Sequence, residues 1–143
     1  MSDPPEEPRV FVYGTLRRDA RGPVQSALTR DWAFEGYGTV AGELYDFGAY
    51  PGAVPSGSAG AAVRGEIYRL PDGDETLALL DHYEGCGPGH EQPHEFTRGV
   101  VDVALESGGT ARAWIYWYRP EPHGRRLRSG DYLERTGPAG IAR

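Results

Sequence analysis

The sequence predicts an α+β domain: a small mixed β-barrel with short flanking helices. Three observations point there. Five to seven strand-like runs stand against two or three short helical segments, so strands dominate. Glycine at 21 and proline at 12 of the 143 positions break the chain at short intervals. Gly36, Gly38 and Gly42 fall inside or between strand-like runs, where they predict bulges and the tight bends of a small barrel. No strand–helix–strand rhythm is present, which disfavours a doubly wound sheet.

The elements follow in order. Residues 1–8 are acidic and proline-rich and read as a disordered lead-in. Val10 to Tyr13 is an unbroken β-branched and aromatic run, the pattern of a strand buried on both faces, and it stops at Gly14. After a polar loop, Pro23 suits the first turn of a short helix over Val24–Thr29. Trp32–Tyr37 and Val40–Phe47 read as strands, and residues 48–60 as loop. Val63–Leu70 is a clearer strand. Pro71-Asp72-Gly73-Asp74 ends it and supplies a cap for a helix over Glu75–Tyr83, with Leu77 and Leu80 at helical spacing. Gly85 and the following glycines terminate that helix. Phe96–Leu105 and Ala111–Tyr118 form a hairpin across Ser107-Gly108-Gly109. The expected organisation is one domain over residues 9–135, with 136–143 as a tail.

Composition removes several function classes. The net charge of −6 and fifteen scattered basic residues, all arginine, argue against nucleic acid as a partner. No run approaches the roughly 20 apolar residues of a membrane span, and the opening Met-Ser-Asp-Pro-Pro-Glu-Glu-Pro does not read as a signal peptide. A single cysteine, Cys86, forbids an internal disulfide and agrees with a reducing, cytoplasmic setting. No P-loop or dinucleotide fingerprint is present, and no cofactor is expected.

Two stretches carry candidate chemistry. A strand ending in Gly14-Thr15 leaves successive backbone amides unpaired, a cradle for a carboxylate or an oxyanion. Alone, Tyr13-Gly14-Thr15 reads as well as a core strand with an ordinary turn. Glu84 closes the second helix, where the negative end of the dipole disfavours its charged form. Burial beside Tyr83 or Tyr13 raises its pKa further, into the range of a general base near neutral pH. A solvated helix-end glutamate is the plainer alternative. Cys86, His90 and His94 share a four-residue spacing, but the glycines and prolines between them preclude a helical ligand face, so no metal site is assigned. The same segment also reads as a lid. Arg17 and Arg18 read as solvated loop residues or carboxylate ligands.

Tyr13-Gly14-Thr15-Leu16 after an N-terminal strand, with Asp81-x-x-Glu84-Gly85 ending a helix, resembles the γ-glutamylcyclotransferase-like superfamily, closest to its AIG2-like and γ-glutamylamine cyclotransferase branch. Gly65-Glu66-Ile67-Tyr68, Phe96-Thr97-Arg98, Ala113 to Tyr118 and Ser129-Gly130-Asp131-Tyr132 extend the match over residues 9–133. The resemblance implies a mixed barrel with a cavity at its mouth. It implies Tyr13, Gly14, Thr15 and Leu16 as the turn that binds the substrate's carboxylate end, and Glu84 as the acid/base. Arg98 and Tyr116 complete the candidate substrate-binding set. Phe96 stands where many members have tyrosine, so a phenolic hydroxyl is missing.

The implied reaction is attack of the α-amine of a γ-glutamyl group on its own γ-carbonyl, releasing 5-oxoproline and an amine. It needs orientation, a proton shuttle and oxyanion stabilisation, and no metal. The partner is a small γ-glutamyl compound. Two other functions fit the same barrel: a non-catalytic module that binds a small carboxylate, and removal of a γ-glutamyl protecting group during metabolite biosynthesis. No residue pattern specifies the leaving amine or an oligomeric state.

Overall fold

The computed structural model describes residues 4–48, 50–56, 60–86, 95–120, 122 and 124–134. Its strands are β1 (Arg9–Val12), β2 (Ala33–Ala41), β3 (Glu43–Asp46), β4 (Pro51–Val54), β5 (Ala62–Arg69), β6 (Phe96–Leu105), β7 (Thr110–Tyr118) and β8 (Arg125–Leu127). Two helices, α1 (Pro23–Leu28) and α2 (Gly73–Glu84), and a 3-10 turn at Tyr132–Glu134 accompany them. Five strands close a barrel in the order β1-β5-β2-β6-β7, and β4-β3-β8 form a second, three-stranded sheet. The barrel is mixed because β1 meets β7 in parallel, Val10 opposite Trp114, while its other pairs are antiparallel.

Alternation along the strands separates two cores. Phe11, Val63, Ile67, Val103, Ala113 and Ile115 fill the barrel interior, joined by Leu44, Ala53 and Leu127 from the second sheet. Val10, Val12, Tyr68, Tyr116 and Tyr118 point the other way, against Leu77 and Leu80 of α2. Both faces of β1 are therefore buried, as its sequence predicts. Helix α2 begins at Asp72, whose side chain accepts from the amide of Glu75, and ends at Gly85 in the left-handed conformation (φ 75°). It runs two residues earlier and one later than the leucine spacing indicates.

Other differences have local causes. The strands expected over Trp32–Tyr37 and Val40–Phe47 are instead one long β2, bulged between Phe34 and Gly36, followed by β3. The division falls at Gly42, where the chain leaves the barrel for the second sheet. Residues 48–60, expected as loop, contain β4. Pro51 occupies its first position, where a missing amide is tolerated. Gly52 lets Phe47 and Tyr118 close over the backbone, since a Cβ there would lie 2.5 Å from the Phe47 ring. Strand β8 lies in a polar stretch and gains its state from pairing with β3. Among the described residues the strands number eight, beyond the five to seven expected.

The segment after β1 is fixed by a buried ion network. Arg17, expected in a solvated loop or on substrate, is 2% exposed. Its guanidinium donates to Glu66 of β5 at 3.2 Å and to Asp131 at 2.7 Å. Glu66, 0% exposed, also accepts from the Arg18 amide at 3.0 Å and the Tyr68 hydroxyl at 2.7 Å. Asp131 accepts from the Leu133 amide at 2.9 Å and lies 3.7 Å from Arg64. Removing one partner strands a charge in the interior. Arg17→Ala is expected to lower the free energy of unfolding by about 3–5 kcal/mol, read from guanidinium chloride denaturation. Arg17→Lys is expected to recover only part, because an ammonium lacks the fork that reaches both carboxylates.

Candidate active site

A cavity of about 300 Å³ opens at the C-terminal end of β1. Its walls include Tyr13, Gly14, Thr15 and Leu16 from the turn, Tyr83 and Glu84 from α2, Tyr50 and Pro51 before and within β4, Glu95 and Phe96 at the start of β6, and Tyr116 of β7. A hollow of about 750 Å³ lies at the opposite end of the barrel, but there Arg9 and Glu35 are paired with each other at 2.5 Å.

The turn is built to present backbone. Its own hydrogen bond runs from the Arg17 amide to the Gly14 carbonyl, 2.9 Å, and the amides of Gly14, Thr15 and Leu16 have no acceptor among the described residues. Gly14 is required by close approach: a Cβ there would lie 2.5 Å from Pro51 Cγ. Arg17 and Arg18 pin the far side of the turn to Glu66. On the near side, the Thr15 hydroxyl lies 3.2 Å from the Tyr83 hydroxyl, which also accepts from Gln25 Nε2 at 2.9 Å. The end of α2 is thereby tied to the turn.

Glu84 follows Tyr83 and faces the same cavity. Its carboxyl hydrogen-bonds to no described residue. Loss of solvent, then the fields of Asp81 and Glu95, push its pKa up to about 7. Its own field helps raise the Tyr13 phenol, already raised by burial, far above the usual range. The Tyr13 hydroxyl is committed to structure, donating to the Tyr116 carbonyl at 2.6 Å and accepting from the Ala53 amide at 3.2 Å. Its ring lines the cavity while its oxygen locks β1 to β4 and β7.

The cavity thus gathers Tyr13, Gly14, Thr15, Leu16, Glu84 and Tyr116 of the predicted set. Arg98 stands apart from the lining: its guanidinium binds Asp81 through two hydrogen bonds of 2.9 and 3.1 Å and lies 4.4 Å over the Trp114 ring. The Tyr116 hydroxyl donates to the same carboxylate at 2.7 Å. Asp81 was named in the helix-end motif but was given no role by sequence reasoning. Its signal was available, since three residues before Glu84 is the same helix face. Tyr50 and Glu95 were not among the predicted substrate-binding residues, Glu95 having been weighed only beside the candidate metal trio; the Tyr50 hydroxyl lies 2.8 Å from each Glu95 oxygen. Of the candidate metal trio and lid, His90 and His94 lie outside the described residues. No three His, Cys, Asp or Glu side chains gather as a metal site among those described.

Comparison with known proteins agrees with the fold. The family described as gamma-glutamyl cyclotransferase, AIG2-like matches residues 10–134. The chain is 34% identical over 131 residues to YtfP of Escherichia coli K12, a gamma-glutamylcyclotransferase family protein, covering 89% of this chain and 97% of that one. The corresponding Citrobacter rodentium protein is 32% identical over 131 residues, covering 89% and 96%. Among solved structures, an AIG2-like protein from Mus musculus superposes with a TM-score of 0.65 at 25% identity, covering 95% of this chain and 94% of that one. A Pyrococcus horikoshii protein superposes at 0.63 and 26% identity, covering 88% and 90%. The chain therefore belongs to the gamma-glutamyl cyclotransferase, AIG2-like family.

Proposed function

We propose that this protein cyclises a γ-glutamyl amide or peptide, releasing 5-oxoproline and a free amine. The observation that supports it is the placement, on the walls of a single small cavity, of one carboxyl with a pKa pushed up to about 7 and three backbone amides that have no acceptor among the described residues. The substrate α-carboxylate or the developing oxyanion takes the amides of Gly14, Thr15 and Leu16. Ionised Glu84 accepts a proton from the α-ammonium, and the freed amine attacks the γ-carbonyl carbon to form the lactam C–N bond. As the tetrahedral centre collapses, the bond to the leaving nitrogen breaks, Glu84 returns its proton to that nitrogen, and the second proton shed by the attacking nitrogen joins it, so the amine departs as an ammonium. Attack is intramolecular, so the walls, including Tyr83 and Tyr116, act mainly by folding the chain of the substrate. In this reading Arg98 is a positioning residue. It fixes Asp81, which orients the Tyr116 hydroxyl and adds to the field that raises Glu84.

The deciding measurement is 5-oxoproline release from γ-glutamyl amines and γ-glutamyl dipeptides. Glu84→Gln is expected to reduce kcat/KM by about 10²–10⁴-fold. Wild-type kcat/KM is expected to rise with pH and level off above pH 7, as Glu84 ionises. Equal release by both proteins removes Glu84 from the mechanism. No release by either, with a carboxylate ligand bound in the cavity, assigns the barrel to binding instead.

Stability responds to the same group. The folded pKa of Glu84 lies above its usual value of 4.5, so folding favours the protonated form. That contribution is fully present below pH 4.5 and is lost as pH rises through 7. Glu84→Gln has no such loss, so its melting temperature is expected to exceed the wild type's at pH 8 by more than at pH 4. Thermal unfolding at both pH values checks this.

A further inference from the structure

We infer that the mouth of this cavity selects a leaving amine carrying a second positive charge, with Glu95 as the specificity-determining residue. The inference rests on the cyclotransferase reading and adds the chemistry of the group released. Two carboxylates, Glu84 and Glu95, line the cavity, and among the described residues no arginine or histidine does. The nearby guanidinium of Arg98 is held by Asp81 through both oxygens.

Depth orders the walls. Gly14 and Leu16 are buried, Glu84 is half-buried and Glu95 is exposed. The field of Glu95 reaches Glu84, and that of Glu84 reaches Tyr13. A substrate whose glutamyl head occupies the turn and whose γ-carbonyl stands at Glu84 therefore directs its leaving group past Glu95.

That carboxylate is a prepared feature of the mouth. The Tyr50 hydroxyl reaches both its oxygens at 2.8 Å, and its backbone carbonyl accepts from the Arg119 amide at 2.9 Å, extending the β6–β7 hairpin by one residue. The Tyr50 ring packs against Phe96 with centroids 5.9 Å apart. A carboxylate beside the aromatic rings of Tyr50 and Phe96 suits an organic ammonium on an aliphatic stem. A carboxylate-bearing leaving group would meet Glu95 and Glu84 with like charge.

The test compares γ-glutamyl diaminobutane (cationic), γ-glutamyl pentylamine (neutral) and γ-glutamyl aminobutyrate (anionic), which are close in length. Wild-type kcat/KM is expected to fall about tenfold at each step from cation to neutral to anion. Glu95→Gln is expected to compress the cation-to-neutral ratio to within about twofold, through the KM of the cationic amide, and Glu95→Lys to favour the anion. Equal wild-type values, or an unchanged ratio in Glu95→Gln, overturn the inference. If the wild type cyclises none of the three, the reaction reading fails on its own. Calorimetric binding of the same compounds to wild type and Glu95→Gln then decides the question. A preference for the cation that Glu95→Gln abolishes sustains the inference; absent or charge-blind binding overturns it.

Discussion

Arg17 is the residue on which the site's placement depends. An unpaired arginine in the interior would be prohibitively costly, so its two carboxylate partners must arrive together. One comes from the middle of the barrel and the other from near the end of the described chain, 114 residues away. Closing this triad fixes the path of the backbone as it leaves β1, and with it the direction of the amides just upstream. The interaction contributes little net stability, because desolvating three charges costs about as much as their attraction returns. Its contribution is geometric: it leaves the turn one position to occupy.

A second constraint works from the opposite wall. Helix α2 supplies Glu84 from its last turn, where the carbonyl end of the dipole already opposes negative charge. Asp81, one turn earlier, strengthens that opposition while its carboxyl lies 2.9 Å from the Arg98 guanidinium. Two acids one turn apart thus divide the labour: one is neutralised by a cation and orders Tyr116, and the other is left without a partner among the described residues. The separation of their environments is what lets a single helix end hold both an ion-paired carboxyl and an unpaired one whose pKa is pushed up to about 7.

How much of this was legible in the sequence varied with the range of the interaction that determines it. The end of β1 at Gly14 and the end of α2 at Gly85 were readable because a glycine interrupts an apolar pattern within a few residues. The barrel class followed from many short strands, and the bulge at Gly36 from a glycine within one. Strand β4 was not readable: Pro51-Gly52 is turn chemistry locally. It pairs with β3 and hydrogen-bonds the Tyr13 hydroxyl only because the tertiary fold brings those groups to it. Arg98 could be read as a substrate ligand or as part of a buried polar network, and the structure places it in such a network with Asp81. An arginine opening a strand carries no local sign that its partner lies 17 residues earlier on a helix. The Tyr50–Glu95 contact spans 45 residues and was equally out of reach.

The convergence of acids at the end of α2 also governs the chain's one thiol. Cys86 sits two residues beyond Glu84, with its sulfur 3.8 Å from Asp81 Oδ1. Desolvation and then the fields of Asp81 and Glu84 push its pKa up to about 11. At pH 7 only about one such thiol in ten thousand is a thiolate, the form that oxidants and alkylating agents attack. The desolvation and fields that raise Glu84 therefore also disfavour the thiolate of the adjacent sulfur. A cysteine beside the candidate catalytic carboxyl is thereby held in its thiol form, the form that reacts least with peroxide.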